Sequence, residues 1–140
     1  MSTGSRRNSK EHRESLKIAT YKLSGGNAGA FAGYWQNPEQ APALILDMVV
    51  KVIVPGGIDG GEIDTGTAAT PVTHSDNLID GAKGNHVGFK DNIVGGGVNG
   101  KGAQLLDAKG GALSYITTQI IKQSEINLIG IVYITYILLG

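Results

Sequence analysis

The residues that come closest to a reactive motif lie in the glycine-rich run Gly95–Gly102. Gly95, Gly97 and Gly100 have the G-x-G-x-x-G spacing of a dinucleotide-binding loop, and Lys101 adds the opening of a Walker loop. A Walker loop needs a Ser or Thr hydroxyl after its lysine, and position 102 is glycine. Both motifs also need a helix whose first amides face the phosphate, and the next residues allow about two turns at most. We therefore expect a surface loop and no nucleotide site.

The histidines and their polar neighbours do not have catalytic or metal-binding spacing. His74, Ser75 and Asp76 are consecutive, so their side chains diverge, whereas a hydrolytic triad needs an imidazole that bridges the hydroxyl and the carboxylate. His12, His74 and His86 are too far apart for a His-x-His or HExxH motif. A metal site assembled from distant loops stays open, but local spacing predicts none.

Three carboxylates follow a glycine turn within six positions: Asp59, Glu62 and Asp64. Their sequence, IDGGEIDTG, lacks the D-x-[DN]-x-[DN]-G pattern of a calcium loop. Paired carboxylates also serve glycosidases, which place them in a cleft. We interpret these residues as the solvated edge of a strand.

The composition is that of one domain without a catalytic or cofactor-binding signature. The 140 residues are 41% hydrophobic and 17% charged, and a chain of this length can bury a substantial core. There is no cysteine, so disulfides and thiolate metal sites are excluded. The basic N-terminus is followed by no apolar region, so we expect no signal peptide. The sequence predicts a protein that is not an enzyme and that binds no cofactor.

Met1–Leu16 (MSTGSRRNSKEHRESL) form a polar, cationic arm with the composition of a segment that cannot build a core. Residues 1–17 carry five basic and two acidic groups, so the rest of this neutral chain is net acidic. Ordering such an arm costs on the order of 20 kcal/mol, which contacts with another molecule would have to offset. Acidic protein surfaces, nucleic acid and anionic lipid are the usual partners. Since the arm has no interleaved aromatic residues, nucleic acid is disfavoured.

Residues 17–140 are expected to form an all-β domain, a β-sandwich or jelly-roll-like fold of about seven to nine strands. The pattern of Val, Ile and Thr between glycine-rich turns predicts strands at Lys17–Leu23, Ala43–Val54, Gly61–Ala69, Leu113–Ile121 and Ile126–Leu139. Ala43–Val54 should be central, with all its even-numbered residues from position 44 onward on one apolar face, and it stops at Pro55-Gly56-Gly57.

The last predicted strand, Ile126–Leu139, is apolar on both faces. Its run of about fourteen apolar residues is short for a membrane helix, which needs about 20, and its β-branched residues favour a strand. A strand that is apolar on both faces needs a layer over each of them. Either another sheet of this chain or a neighbouring subunit must supply the second layer.

The connecting segments predict a small-residue linker and two short turns. Ser24–Gly33 should be the linker, followed by Tyr34 and Trp35 beside a proline turn. Residues 77–80 should form one helical turn inside a loop, and Asp91-Asn92 a turn. We expect Trp35 to be an anchor in the core or at a subunit seam.

The phrases YWQNPE, ILDMVVKVIV, PGG, GEIDTGTA and SDNLIDG, which run from Tyr34 to Lys83, resemble small structural proteins of tailed-bacteriophage heads. In that family a glycine-rich β domain follows a flexible arm. The resemblance covers about half the chain and brings no catalytic residues with it. It implies a virion protein of the decoration or cement type.

The sequence therefore predicts a capsid-associated structural protein with an arm at 1–16 and a β domain at 17–140. The arm would lie on the capsid shell, and the domain would pack against copies of itself or the major capsid protein. The residues expected at these contacts are Arg6, Arg7, Lys10, Arg13, Phe31, Tyr34 and Trp35. The alternatives are a fibre or spike module for host attachment and a free-standing carbohydrate-binding β domain.

Overall fold

The computed structural model describes residues 16–57, 61–84, 88–91 and 96–140. These residues form nine strands and no helix. Residues 1–15, which include the four predicted contact residues of the arm, and also Asp59 and His86, lie outside the described part of the chain, whereas Leu16 belongs to the first strand.

The strands are β1 (Leu16–Gly26), β2 (Phe31–Gln36), β3 (Ala43–Val54), β4 (Glu62–Ala68), β5 (Ile79–Lys83), β6 (Gly88–Asp91), β7 (Gln104–Leu106), β8 (Tyr115–Ile120) and β9 (Glu125–Leu138). All their pairings are antiparallel. The predicted strand at Ala43–Val54 has the observed bounds, and the other predicted strands are matched to within a few residues.

The topology is that of a long antiparallel ribbon folded over on itself. Its tip is the β4–β5 pair, and outward from the tip β3 pairs with β6 and β7, β2 with β8, and β1 with β9. Wrapping this ribbon joins β9 to β3 and β8 to β4, which gives sheet A (β1-β9-β3-β6, with β7 also on β3) and sheet B (β2-β8-β4-β5). This is a jelly roll, so the predicted all-β sandwich is confirmed.

The core lies between the inner faces of the two sheets. Sheet A contributes Met48, Val50 and Val132, among others, and sheet B contributes Ile63 and Ile116; all five are fully buried. One hydrogen-bonded chain of hydroxyls crosses this layer.

In that chain the Tyr21 hydroxyl lies 2.8 Å from Thr118 Oγ1, which lies 3.0 Å from Thr65 Oγ1. Burial raises the pKa of Tyr21 well above its usual range, so the phenol stays protonated. The chain therefore links the two sheets without burying a charge.

Strand β3 does not keep a single apolar face. Its register against β9 shifts between Ile45 and Asp47, so Leu46 is an extra, bulged residue. Ala43 and Ile45 face the core before the bulge, whereas Met48 and the even-numbered residues up to Val52 face it afterwards. The predicted single face is therefore wrong, because the bulge exchanges the two sides of the strand.

Strand β9 is buried on one face only. Leu128, Val132 and Ile134 are buried, whereas Ile129 and Tyr133 between them are exposed. Sheet B supplies the layer over one face, and the layer over the other face, which a neighbouring subunit would have to supply, stays a prediction. No helix among the described residues could span a membrane.

Three predicted connections are also wrong. Most of the predicted linker Ser24–Gly33 belongs to β1 and β2, because β2 pairs with β8 along its length. The predicted helical turn at 77–80 is replaced by the start of β5, which pairs with β4. Asp91 ends β6 rather than starting a turn, and Asn92 lies outside the described residues.

Candidate interaction surfaces

The outer face of sheet A is an apolar surface built from five cross-strand rows. Because Tyr21 and Leu23 of β1 are buried in the core, their neighbours Thr20 and Lys22 face outward. The strand register aligns the outward residues in rows. From one end of the sheet these rows are Leu16–Ile137–Leu44–Leu105, Ile18–Thr135–Asp47, Thr20–Tyr133–Val49, Lys22–Ile131–Lys51 and Ser24–Ile129–Val54.

Several of these side chains are more exposed than is usual for apolar residues. Ile18 is 73% exposed and Ile129 is 52% exposed, and Leu16, Leu105, Ile53 and Tyr133 are also exposed. Strands of twelve residues at about 3.3 Å each, four across at about 4.8 Å, give a face of roughly 40 by 20 Å, or about 800 Å². Ten of the sixteen side chains in these rows are apolar, so the apolar part of the face is comparable with the largest patch on a typical monomer, about 300–600 Å².

A groove lies at one end of this face. Its volume is about 400 Å³, and its walls include Ser24, Ile53, Ile129 and Ile131. Tyr133 projects from the same face two residues beyond Ile131 on β9. Strand β9 thus contributes both an exposed aromatic side chain and part of the wall of the groove to this face.

The outer face of sheet B is covered by the chain itself. The segment 69–78, which connects β4 and β5, lies over β4 and β8. Thr117 is fully buried on this side and donates a hydrogen bond from Oγ1 to the Thr73 carbonyl (2.8 Å). A Cβ at Gly66 would lie 2.8 Å from the Asn77 amide nitrogen and nearer still to the Ser75 hydroxyl. Gly66 therefore allows the covering segment to approach the sheet.

Asn77 attaches this covering segment to β4 through a reciprocal pair of hydrogen bonds. The Thr67 amide donates to Asn77 Oδ1 (2.9 Å), and Asn77 Nδ2 donates to Thr67 Oγ1 (2.8 Å). The same Nδ2 also lies 3.3 Å from Gln104 Oε1. One side chain thus joins the covering segment to two other parts of the chain.

The side chains of Asp64, on β4, and of His74 and Asp76, on the covering segment, lie close together. His74 Nε2 lies 2.6 Å from Asp64 Oδ2, and the Gly81 amide donates to Asp64 Oδ1 (2.9 Å). Burial raises the pKa of Asp64, while the hydrogen bonds from His74 and Gly81 act to lower it. The predicted solvated edge is therefore wrong at Asp64, because the covering segment buries it.

The ligand atoms of Asp64, His74 and Asp76 all lie within 4.8 Å of one another. One imidazole and two carboxylates are donors that a divalent transition metal accepts. In this arrangement the imidazole is hydrogen-bonded to Asp64 and Asp76 accepts from Asn99 Nδ2 (2.9 Å), so the donors pair with protein groups. Sequence spacing missed the cluster because position 74 reaches position 64 only when segment 69–78 folds over the sheet.

Glu125 is a fully buried carboxylate at the end of the sandwich. Neither carboxylate oxygen has a hydrogen-bond partner among the described residues. Glycines 56, 61 and 84 surround it, and a Cβ on Gly84 would overlap the carboxylate. Burial raises the pKa of Glu125, which favours its protonated form.

The three aromatic residues predicted at contacts have different environments. Trp35 faces inward and packs on Tyr136 with ring centroids 5.3 Å apart. Phe31 is half-buried. Tyr34 is 54% exposed on the outside of sheet B, next to Tyr115. Tyr34 is the most exposed of the three, and all three stay predicted contacts.

No protein-family model and no curated protein matches this chain. Solved structures do. Two phage capsids contain this fold. A chain in the capsid of Ralstonia phage GP4 superposes with a TM-score of 0.62 and 11% identity, over 89% of this chain and 85% of that one. A chain in the cyanophage Pam1 capsid asymmetric unit gives a TM-score of 0.54 with the same identity and coverage. Both matched chains are therefore only slightly longer than this one.

Proposed function

We propose that this chain is a structural protein of a phage virion that binds and stabilises the capsid shell. It would act as a decoration or cement protein or as a minor capsid protein. The observation that carries the proposal is the apolar outer face of sheet A, which no described part of the chain covers. A protein that leaves such a face open is suited to work packed against other subunits.

The fold shared with chains in two phage capsids supports this role. The matched chains are of similar length, which favours a small accessory protein over a large shell-forming one. In the proposed arrangement the domain packs on a neighbouring subunit, and Arg6, Arg7, Lys10 and Arg13 of the arm contact the major capsid protein. The protein would be made in the host cytoplasm and end in the virion.

Shell binding by the full-length chain tests the proposal. Capsids of the encoding phage, prepared without this protein, are mixed with it and sedimented. The wild-type chain should co-sediment and raise the temperature at which the capsids break open. The Arg6→Glu, Arg13→Glu double variant should bind roughly tenfold more weakly, since each reversal removes a favourable charge contact.

The matched control is the Lys101→Glu, Lys109→Glu double variant, which makes the same charge change at exposed positions of the body. It should bind as the wild type does. If the wild-type chain fails to bind capsids at low salt, the proposed function is wrong. Binding of the chain to host cells or to carbohydrate instead would favour the attachment or carbohydrate-binding alternative.

A further inference from the structure

The outer face of sheet A has no cover among the described residues. A face of about 800 Å² matches the area that each partner contributes to a standard protein–protein interface. Residues 1–15 of the same chain are unsuited to cover it, because Met1 is their only large apolar residue. A second copy of the chain is present wherever the protein is made.

The features of the face are arranged for pairing with an identical face. Tyr133 is the exposed aromatic residue of β9, and the groove at Ser24, Ile53 and Ile129 begins beside Ile131 on the same strand. Tyr133 and Ile129 are four residues apart, or about 13 Å. A twofold axis midway between them, near Ile131, would bring each Tyr133 into the groove of the other copy.

We infer that two copies of this chain form a twofold dimer through their sheet A faces, with Tyr133 of each copy in the groove of the other. This deepens the proposed function, on which it rests, by naming the partner of the uncovered face. Aromatic residues in well-packed pockets carry much of the binding energy of such interfaces. The outward residues of β9 are uncharged, and Lys22 and Lys51, which flank Ile131 on β1 and β3, must turn their ammonium groups to the rim of the interface. Both arms would then leave from β1 at the margins of the dimer, available for the shell.

The test is the mass of the purified full-length protein by sedimentation equilibrium. The wild-type chain should be a dimer in the micromolar range. Tyr133→Ala removes the projecting ring, and Ser24→Trp fills the groove. Each should weaken dimerisation by about 30-fold or more. Tyr34→Ala is the matched control, because it removes an even more exposed tyrosine from sheet B and should leave the dimer intact.

Mixing the two variants gives a sharper result. A Tyr133→Ala copy keeps an open groove, and a Ser24→Trp copy keeps its Tyr133. A mixed dimer therefore retains one complete contact, and its other side pairs a filled groove with a missing ring. The mixture should dimerise more strongly than either variant alone. Circular dichroism of each variant verifies that it is folded.

A wild-type monomer at high concentration would overturn the inference, as would a trimer or the absence of rescue on mixing. The shell-binding assay separates this failure from that of the proposed function. A monomeric wild type that still binds capsids leaves the function standing and removes the dimer. A dimer that does not bind capsids removes the function and leaves the dimer.

Discussion

The two sheets of this jelly roll have outer faces of opposite kinds. Sheet B is covered by segment 69–78, which is held by hydrogen bonds from Asn77 and Thr117 and by the pairing of His74 with Asp64. Sheet A has an apolar outer face that no described segment covers. One face is completed within the chain by directional polar contacts. The other has no cover among the described residues, and in the proposed assembly another subunit would cover it.

The two outer faces should differ in how much they contribute to the stability of the monomer. Contacts on sheet B belong to the folded monomer, so their loss should lower its free energy of unfolding. In the proposed assembly the outer face of sheet A is an interface, so changes there should alter association and leave monomer stability nearly unchanged. The following substitutions test this difference, from the largest expected effect to the smallest.

Gly66→Val should have the largest effect. The added side chain would occupy the space of the Ser75 hydroxyl and the Asn77 amide, so the covering segment must move away. We expect a loss of about 2–3 kcal/mol in the free energy of unfolding, measured by urea denaturation. The control is Thr135→Val, at an outward position of β9 on sheet A, which should change stability by less than about 0.5 kcal/mol. Equal losses in the two variants would contradict the comparison.

Asn77→Ala should come next. It removes the bonds to Thr67 and Gln104 and leaves the Thr67 amide without its acceptor. The expected cost is about 1–2 kcal/mol in the same denaturation experiment. Asn127→Ala, at an exposed position of β9, serves as its control and should be close to neutral. If Asn77→Ala is neutral too, the covering segment does not depend on this side chain.

Glu125→Gln tests the buried carboxylate at the end of the sandwich. Because burial raises the pKa of Glu125 in the folded state, the folded chain binds this proton more tightly than the unfolded chain does. Stability is therefore greatest below the ordinary glutamate pKa of about 4.3 and falls as the pH rises through the raised pKa. Glutamine does not titrate, so the variant should gain about 1 kcal/mol at neutral pH.

The measurement is the free energy of unfolding between acid and neutral pH. The free energy of unfolding should decline less with rising pH in Glu125→Gln than in the wild type. The decline that remains comes from Asp64, whose pKa is also raised. Glu39→Gln, which alters an exposed ion pair with Lys17, should leave the profile almost unchanged. A variant that is less stable than the wild type at neutral pH would show that the carboxylate has a stabilising partner.

Ile18→Thr should have the smallest effect on the monomer. Ile18 is the most exposed residue in its row of sheet A, and threonine keeps the β-branched shape that strands favour. In dilute solution we expect a change below about 0.5 kcal/mol. At higher protein concentration the variant should self-associate less than the wild type, as measured by light scattering. A large loss of stability in dilute solution would place Ile18 in the monomer's own packing.

The sequence predicted the elements that depend on local pattern. Ala43–Val54 and most of β9 are long β-branched runs, and Pro55 with its following glycines ends the first of them. Strands β2 and β5 were missed because they are short and rich in glycine and alanine. Their strand character comes from pairing with β8 and β4, which are distant in sequence.

Only part of the outer face of sheet A could be predicted from the sequence. The apolar outer side of β9 was visible in the sequence, together with its need for a cover. The rows that join β9 to β1 and β3 depend on the strand register. No glycine or proline in the sequence indicates the bulge at Leu46. The meeting of His74 with Asp64 likewise requires segment 69–78 to fold over the sheet.

The bulge at Leu46 also bears on how related chains can vary in length. Removing a residue from the middle of a strand normally turns every later side chain to the wrong side. Here a chain that lacked position 46 would alternate regularly, with Ile45 and Met48 still pointing inward and Asp47 still pointing outward. Loss of Val49 would instead reverse the rest of the strand. Natural deletions in this strand should therefore concentrate at position 46 and at position 53, where the register against β9 shifts a second time.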